Sequence, residues 1–177
     1  MKNDILKTII SKEEIQTICQ RLGEEISRDY ANKKPIIIGL LKGCLPFMSD
    51  LVKHINGYVT LDYMSVSSYD GMASTGAITI KKDVESVIEG RDIIIVDDII
   101  DTGVTLLNIV EFFKEKKANS IKTCCLLDKP EGRKVAIEAD YVGTTIPKKF
   151  VVGYGLDFNG YYRNLPFIGI LKKEVYE

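Results

Sequence analysis

The sequence predicts an α/β protein built on a central, mostly parallel sheet flanked by helices. Three observations carry this. Apolar runs of strand length at 35–41, 92–98 and 120–128 lack polar alternation, as strands buried on both faces do. Between two of them lie stretches with helical apolar spacing. A polar cluster follows each run, where ligand crevices of such sheets form.

The elements follow in order. Residues 11–31 read as an amphipathic helix: Ser11 and Glu14 make a capping box, and Ile15, Ile18, Cys19, Leu22 and Ile26 recur on one face. "PIIIGLL" at 35–41 is a buried strand, and 44–55 a short helix with Pro46 in its first turn. Alternation over 58–66 predicts a strand with Val59, Leu61 and Tyr63 on its apolar side. A polar loop spans 67–77, either plain surface or a lid, before "ITIKKDV" resumes a strand. "DIIIVDD" at 92–98 is a strand that ends on two acids, and 103–117 is a helix. "SIKTCCLLD" at 120–128, "ADYVGTTIP" and "FVVGYGLD" supply three more strands.

Length and composition suit one domain, residues 1–177, with a proper core. A net charge of −1 gives no basic field to hold a nucleic-acid backbone. Cys19, Cys44, Cys124 and Cys125 have no metal-type spacing and read as reduced, buried thiols. His54 is the only histidine and reads as structural, which leaves no support for a multi-histidine metal site or a Ser-His-Asp triad. The N-terminus is too often interrupted by charge for a secretory signal, and no run reaches the ~20 apolar residues that cross a bilayer, so a cytoplasmic location is expected.

The chemistry concentrates at "DDIIDTGVT", 97–105. A strand-to-helix turn at 101–105 offers backbone N–H groups, the hydroxyls of Thr102 and Thr105, and Gly103 for a tight bend around a phosphate. Asp101 or Thr102 could instead be a plain helix cap. Asp97 and Asp98 could accept from a sugar diol, directly or through magnesium and its waters. Phosphate, diol and cation together describe a phosphorylated ribose. Lys42–Gly43, Asp128–Lys129 and Asp157 also follow strand candidates, so four polar clusters point to one crevice.

The stretch "IIIVDDIIDTGVTL" closely resembles the phosphoribosyl-pyrophosphate signature of the type I phosphoribosyltransferases. "LLKGCLPF", "SSYDGMASTG", "LLDKPEGR" and "IPKKFVVGYGLDFNGYYRNLP" resemble the pyrophosphate loop, catalytic loop, lysine-bearing strand end and base-binding hood of the hypoxanthine/guanine branch. The resemblance implies the type I phosphoribosyltransferase fold, with a hood formed mainly by residues 145–177. It implies purine salvage: magnesium-dependent transfer of 5-phosphoribose from phosphoribosyl pyrophosphate to N9 of hypoxanthine or guanine, by a homodimer or homotetramer.

By the same resemblance, Asp97 and Asp98 hold the ribose hydroxyls, partly through magnesium, and Asp101, Thr102, Gly103, Val104 and Thr105 cradle the 5′-phosphate. Asp101 is also the general base at purine N7. Lys42, Gly43 and Arg163 bind pyrophosphate, the Lys42–Gly43 loop being where the family often has a non-proline cis peptide. Ser68 and Tyr69 close over the site. Lys129, Phe150, Val151 and Asp157 bind the purine, and Asp157 also serves a second magnesium. Taken alone, Lys129 reads as a solvated turn lysine, Phe150 as core, Ser68–Tyr69 as surface, and Arg163 with Asp157 as a surface ion pair. The family often has Glu-Asp at 97–98, so the first acid here is one methylene shorter; Val104 replaces a larger or basic residue of some relatives.

Other functions fit less well. A signalling receiver would carry its acidic pair near the start and has no use for the Thr102–Gly103 turn. A Walker-type hydrolase needs a G-x-x-x-x-G-K-[ST] motif that is absent. An RNA-binding regulator on the same fold calls for a basic face, against the charge of −1.

Overall fold

The structure, a computed structural model, describes residues 1–68 and 78–177, the side chains of Lys2 and Ser68 excepted. Nine strands and four α-helices occur among them: β1 (Ile5–Ile10), α1 (Lys12–Asp29), β2 (Ile36–Leu41), α2 (Leu45–Leu51), β3 (Thr60–Ser68), β4 (Ile78–Lys82), β5 (Asp92–Ile100), α3 (Val104–Glu115), β6 (Ser120–Asp128), β7 (Tyr141–Thr145), β8 (Val151–Val152), β9 (Ile168–Leu171) and α4 (Lys173–Tyr176). The main sheet runs β4-β3-β2-β5-β6-β7, parallel throughout except for antiparallel β4 at one edge. A second sheet, β1-β9-β8, is antiparallel. Among the described residues no helix is long and apolar enough to cross a membrane.

The unbroken isoleucine runs are explained by two cores. Along β2 and β5 successive side chains alternate faces: Ile37, Ile94 and Val96 join the core under α1 and α2, whereas Ile36, Ile38, Ile93 and Ile95 join the one under α3. Each such burial contributes about 1.5–3 kcal/mol, which is why neither face tolerates polar alternation. α1 begins as its capping box predicts, with the Ser11 hydroxyl accepting from Glu14 N and the Glu14 carboxylate accepting from Ser11 N. All four cysteines are free and buried. His54 packs against the backbone of α1, where Gly23 leaves room for it.

Several expectations are corrected. β5 continues past the acid pair to Ile100, because Ile99 and Ile100 still pair with Leu127 and Asp128 of β6. In β3 the buried residues are Asp62 and Met64, while Leu61 stays exposed. Asp62 is tolerated inside because it accepts from the backbone N–H groups of Tyr63, Glu85 and Ser86. Ser67 and Ser68 belong to β3, paired with Thr79 and Ile78, so the loop expected at 67–77 begins later than its polar residues suggest. The strand expected across "FVVGYGLD" is only Val151–Val152, since Gly153, Tyr154 and Gly155 all take positive φ and end it.

Candidate active site

Four strand ends of the two sheets converge. β2 runs into the 42–44 turn through a cis peptide bond at Leu41–Lys42, so the cis peptide expected in this loop lies just before Lys42. Gly43 is the meeting point. A Cβ on it would lie 1.7 Å from Asp98 Oδ2, and one on Gly155 would lie 2.0 Å from Gly43 O. The loop after β2, the acids of β5 and the turn after β8 therefore touch through bare glycine backbone, and any side chain at Gly43 would push into the carboxylate.

Asp97 and Asp98 stand side by side at this junction. Burial, then the neighbouring Asp98 charge, raises Asp97 well above the ordinary carboxylate range; burial also raises Asp98, which the Arg163 charge partly offsets. Cys44 lies beneath them as an inert packing group, its thiol pushed far up by burial and by the two acids. Among the described residues no three potential metal-ligating side chains converge, so the acid pair and Asp157 are separate sets of donors.

Of the caps that Asp101 or Thr102 could have made, the turn 101–105 shows a long one from Thr102, whose hydroxyl accepts from Val104 N at 3.4 Å. The N-cap position of α3 is Gly103, at φ 80°, which has no side chain of its own to cap with. Asp97, Asp101, Thr102, Gly103 and Thr105 line a small cavity of about 150 Å³ over that helix start, while Val104 is the first residue of the helix. Larger hollows of about 800 Å³ beside residues 128–142 and about 710 Å³ beside 27–34 lack these acids, and chemistry rather than size identifies the site.

Lys129 is 8% exposed and is no solvated turn residue. Its ammonium lies 2.7 Å from Asp101 Oδ2, and its backbone N–H donates to Ile100 O. Gly132 passes so close to Asp101 that a Cβ there would lie 1.8 Å from Oδ1. Phe150 is 38% exposed, so it is not core either. Next to it Val151 pairs with Ile170 of β9. Arg163 pairs with Asp157 at 2.6 Å and donates to Gly155 O, tying both ends of the hairpin that follows β8. Lys42 is exposed beside Gly43. Ser68 closes β3 against Ile78; Tyr69 and residues 70–77 lie outside the described residues.

Two supporting residues escaped the sequence reading. Arg133 donates to Ile100 O at 3.1 Å and to Asp101 O at 2.6 Å and pairs closely with Asp128, so it holds the tips of β5 and β6 together. Its one signal was a cation just past the "KPEG" turn. Tyr154, in the left-handed region, donates its hydroxyl to Asp50 Oδ2 at 2.6 Å, where Gln16 and Lys53 also converge. That network pins the turn after β8 to α1 and α2.

This arrangement can hold an anion at a helix start and a diol at paired acids, with the Lys129–Asp101 pair beside them as a hydrogen-bonding edge. The family model of the phosphoribosyl transferase domain matches residues 7–159. The chain is 55% identical over 177 residues to the hypoxanthine-guanine phosphoribosyltransferase of Streptococcus pneumoniae, covering 99% of this chain and 98% of that one. It is 54% identical to the enzyme of the same name from Bacillus subtilis, covering 100% and 99%. The crystal structure of a hypoxanthine phosphoribosyltransferase from Staphylococcus aureus superposes with a TM-score of 0.97 at 49% identity, covering 100% of this chain and 97% of that one. On sequence and fold together, the chain belongs to the hypoxanthine-guanine phosphoribosyltransferases, of the phosphoribosyl transferase family.

Proposed function

We propose that the chain transfers 5-phosphoribose from phosphoribosyl pyrophosphate to N9 of hypoxanthine or guanine, forming the nucleoside monophosphate and releasing pyrophosphate. The observation that carries this reading is the 2.7 Å pairing of Lys129 with Asp101 beside the start of α3 at Gly103. A cation and a carboxylate side by side match the 6-oxo and N7–H groups of a 6-oxopurine, and the helix start matches the phosphate.

In this mechanism the purine lies on Phe150 beside the Val151 backbone, and Lys129 donates to its 6-oxo oxygen. The 101–105 turn holds the 5′-phosphate, with the Thr102 and Thr105 hydroxyls and the 103–105 amides as donors. Asp97 and Asp98 accept from the 2′ and 3′ hydroxyls, and Arg163, with Lys42 and Gly43, holds the pyrophosphate. Asp101 removes the N7 proton as the N9–C1′ bond forms and the bond from C1′ to the pyrophosphate oxygen breaks. An oxocarbenium-like centre open to solvent would be captured by water, so the reaction needs the site shielded; the Ser68–Tyr69 role expected for this falls at the edge of the described residues.

The acid pair and Asp157 offer the hard oxygen donors that suit magnesium, which keeps most of its shell for water and phosphate. Burial first, and the Asp98 charge second, raise Asp97, and a divalent cation would relieve the repulsion between the two acids. When bound, magnesium neutralises charge on the departing pyrophosphate.

We further propose that the chain is a single domain, that it works in the cytoplasm, and that it assembles as a homodimer or homotetramer, which sedimentation would measure. An assay with phosphoribosyl pyrophosphate, magnesium and each of hypoxanthine, guanine, xanthine and adenine tests the activity. Turnover on hypoxanthine or guanine is the expected result; turnover on adenine alone, or on none, overturns it.

A further inference from the structure

Among the described residues, Phe150 carries an aromatic cover on one side only. The Tyr176 ring stacks on it with centroids 4.8 Å apart and planes 22° apart. Phe158 meets Phe150 at 5.6 Å and 90°, and lies 6.5 Å from Tyr176 at 68°. Those three separations put Phe158 beside the edge of the Phe150 ring, not over its second face. Phe150 is 38% exposed, and neither of these rings lies over the face opposite Tyr176, which leaves that face as the one for a planar ligand to stack on.

The backbone delivers Tyr176 to that place. β9 pairs with β8 immediately after Phe150, and Leu171 N donates to Phe150 O at 3.0 Å. Lys172 N then donates to Asp4 O at 2.9 Å, and α4 starts at the next residue. The short helix is thus fastened at both sheet neighbours before it presents its aromatic ring.

We infer that Tyr176 is a positioning residue of the base site: it backs Phe150, holds that ring in one orientation, and leaves the opposite face as the platform for the purine. The inference rests on reading Phe150 as the base platform. Without the backing ring, Phe150 can turn about its side-chain bonds, and stacking on the purine must then restrict a ring that was free. The loss therefore falls on purine binding rather than on phosphoribosyl binding or on bond making.

Steady-state kinetics of Tyr176→Leu, Tyr176→Phe, Phe150→Leu and the Phe150→Leu/Tyr176→Leu double variant test this. Tyr176→Leu should raise KM for hypoxanthine roughly three- to ten-fold, the range one aromatic contact supplies, with kcat and KM for phosphoribosyl pyrophosphate near wild type. Tyr176→Phe should restore the purine KM, since the ring and not the hydroxyl does the backing. In the Phe150→Leu background, Tyr176→Leu should add less than about two-fold, because the ring it positions is gone. An unchanged purine KM in Tyr176→Leu, or full multiplication of the two losses, overturns the inference while the base platform stands. A lowered purine KM in Tyr176→Leu also overturns it, since Tyr176 would then occupy the purine's own face. An unchanged purine KM in Phe150→Leu takes down the platform reading and the inference together.

Discussion

The Lys129 ammonium lies 2.7 Å from the Asp101 carboxylate, although the two residues leave different strands of the main sheet. The contact joins the tips of β5 and β6 and sets a donor beside an acceptor. In Asp101→Asn the amide oxygen can still accept from Lys129, so the local structure should persist. What disappears is the ability to take a proton. We predict that kcat falls by about 10²–10⁴ while the affinity for phosphoribosyl pyrophosphate stays within about two-fold. Single-turnover kinetics with equilibrium binding measures both, and full activity would remove Asp101 from the base role.

Gly43 should tolerate no side chain. In Gly43→Ala the new methyl has to displace the Asp98 carboxylate, or the loop that carries it has to shift. Activity should drop at least about 100-fold, as expected where a small misplacement disturbs reacting groups. Circular dichroism should still report the native secondary structure, since the clash is confined to the site. A variant with wild-type kcat/KM would mean that the contact among the three loops is dispensable.

Arg133→Lys should be costly although it keeps the charge. The guanidinium makes two backbone hydrogen bonds and an ion pair at once, and it is largely buried. An ammonium lacks the planar fork to reach all three. Thermal or urea unfolding should show a loss of about 2–4 kcal/mol, most of it from leaving Asp128 poorly paired. kcat should fall as well, because Asp101 loses its backbone support.

Asp62 predicts a pH signature. Burial alone would raise its carboxyl, but the Ser86 hydroxyl and the backbone N–H groups of Ser86, Tyr63 and Glu85 outweigh that and hold it below its ordinary value of 3.8. A carboxylate lowered in the folded state stabilises above its unfolded pKa, and the benefit is lost as pH falls through the folded value. Asp62→Asn should cost about 1–3 kcal/mol near neutral pH, because its NH2 cannot accept those donors. The Tm gap between wild type and variant should shrink as melts are taken from pH 6 to pH 3. A constant gap would contradict the assignment.

Tyr154→Phe removes one hydroxyl from a charged cluster. Its partner Asp50 keeps Gln16 and Lys53, so the cost should be about 1–2 kcal/mol in unfolding free energy, short of unfolding the protein. Because Tyr154 fastens the turn that contacts Gly43, KM for phosphoribosyl pyrophosphate should rise by a few-fold, with the purine KM less affected.

How much of this could be read beforehand depended on how local each signal was. β2, β5 and β6 announce themselves because branched aliphatics buried on both faces leave no room for polar residues. The acids at 97, 98 and 101 stand out because they interrupt such a run. β1 gave no comparable signal: three of its six residues are exposed, and its partner is β9, near the other end of the chain. Nor could the non-glycine residues Tyr154, Asn159 and Tyr162 be foreseen in left-handed conformations, which the surrounding contacts impose. Arg133 and Tyr176 act through partners far apart in sequence or on separate elements, and pairings of that kind carry no periodicity.

The pairing of β1 with β9 bears on how the protein is made. Ile5 waits for Leu171, so the smaller sheet cannot close until the whole stretch from one to the other has left the ribosome. The main sheet needs nothing beyond Thr145. The acid tip and phosphate turn can therefore assemble during synthesis, and the aromatic platform is completed last. Pulse-labelled hydrogen exchange during refolding should find the amides of β1 protected after those of β2 and β5, placing the step that completes the base site at the end of the folding sequence.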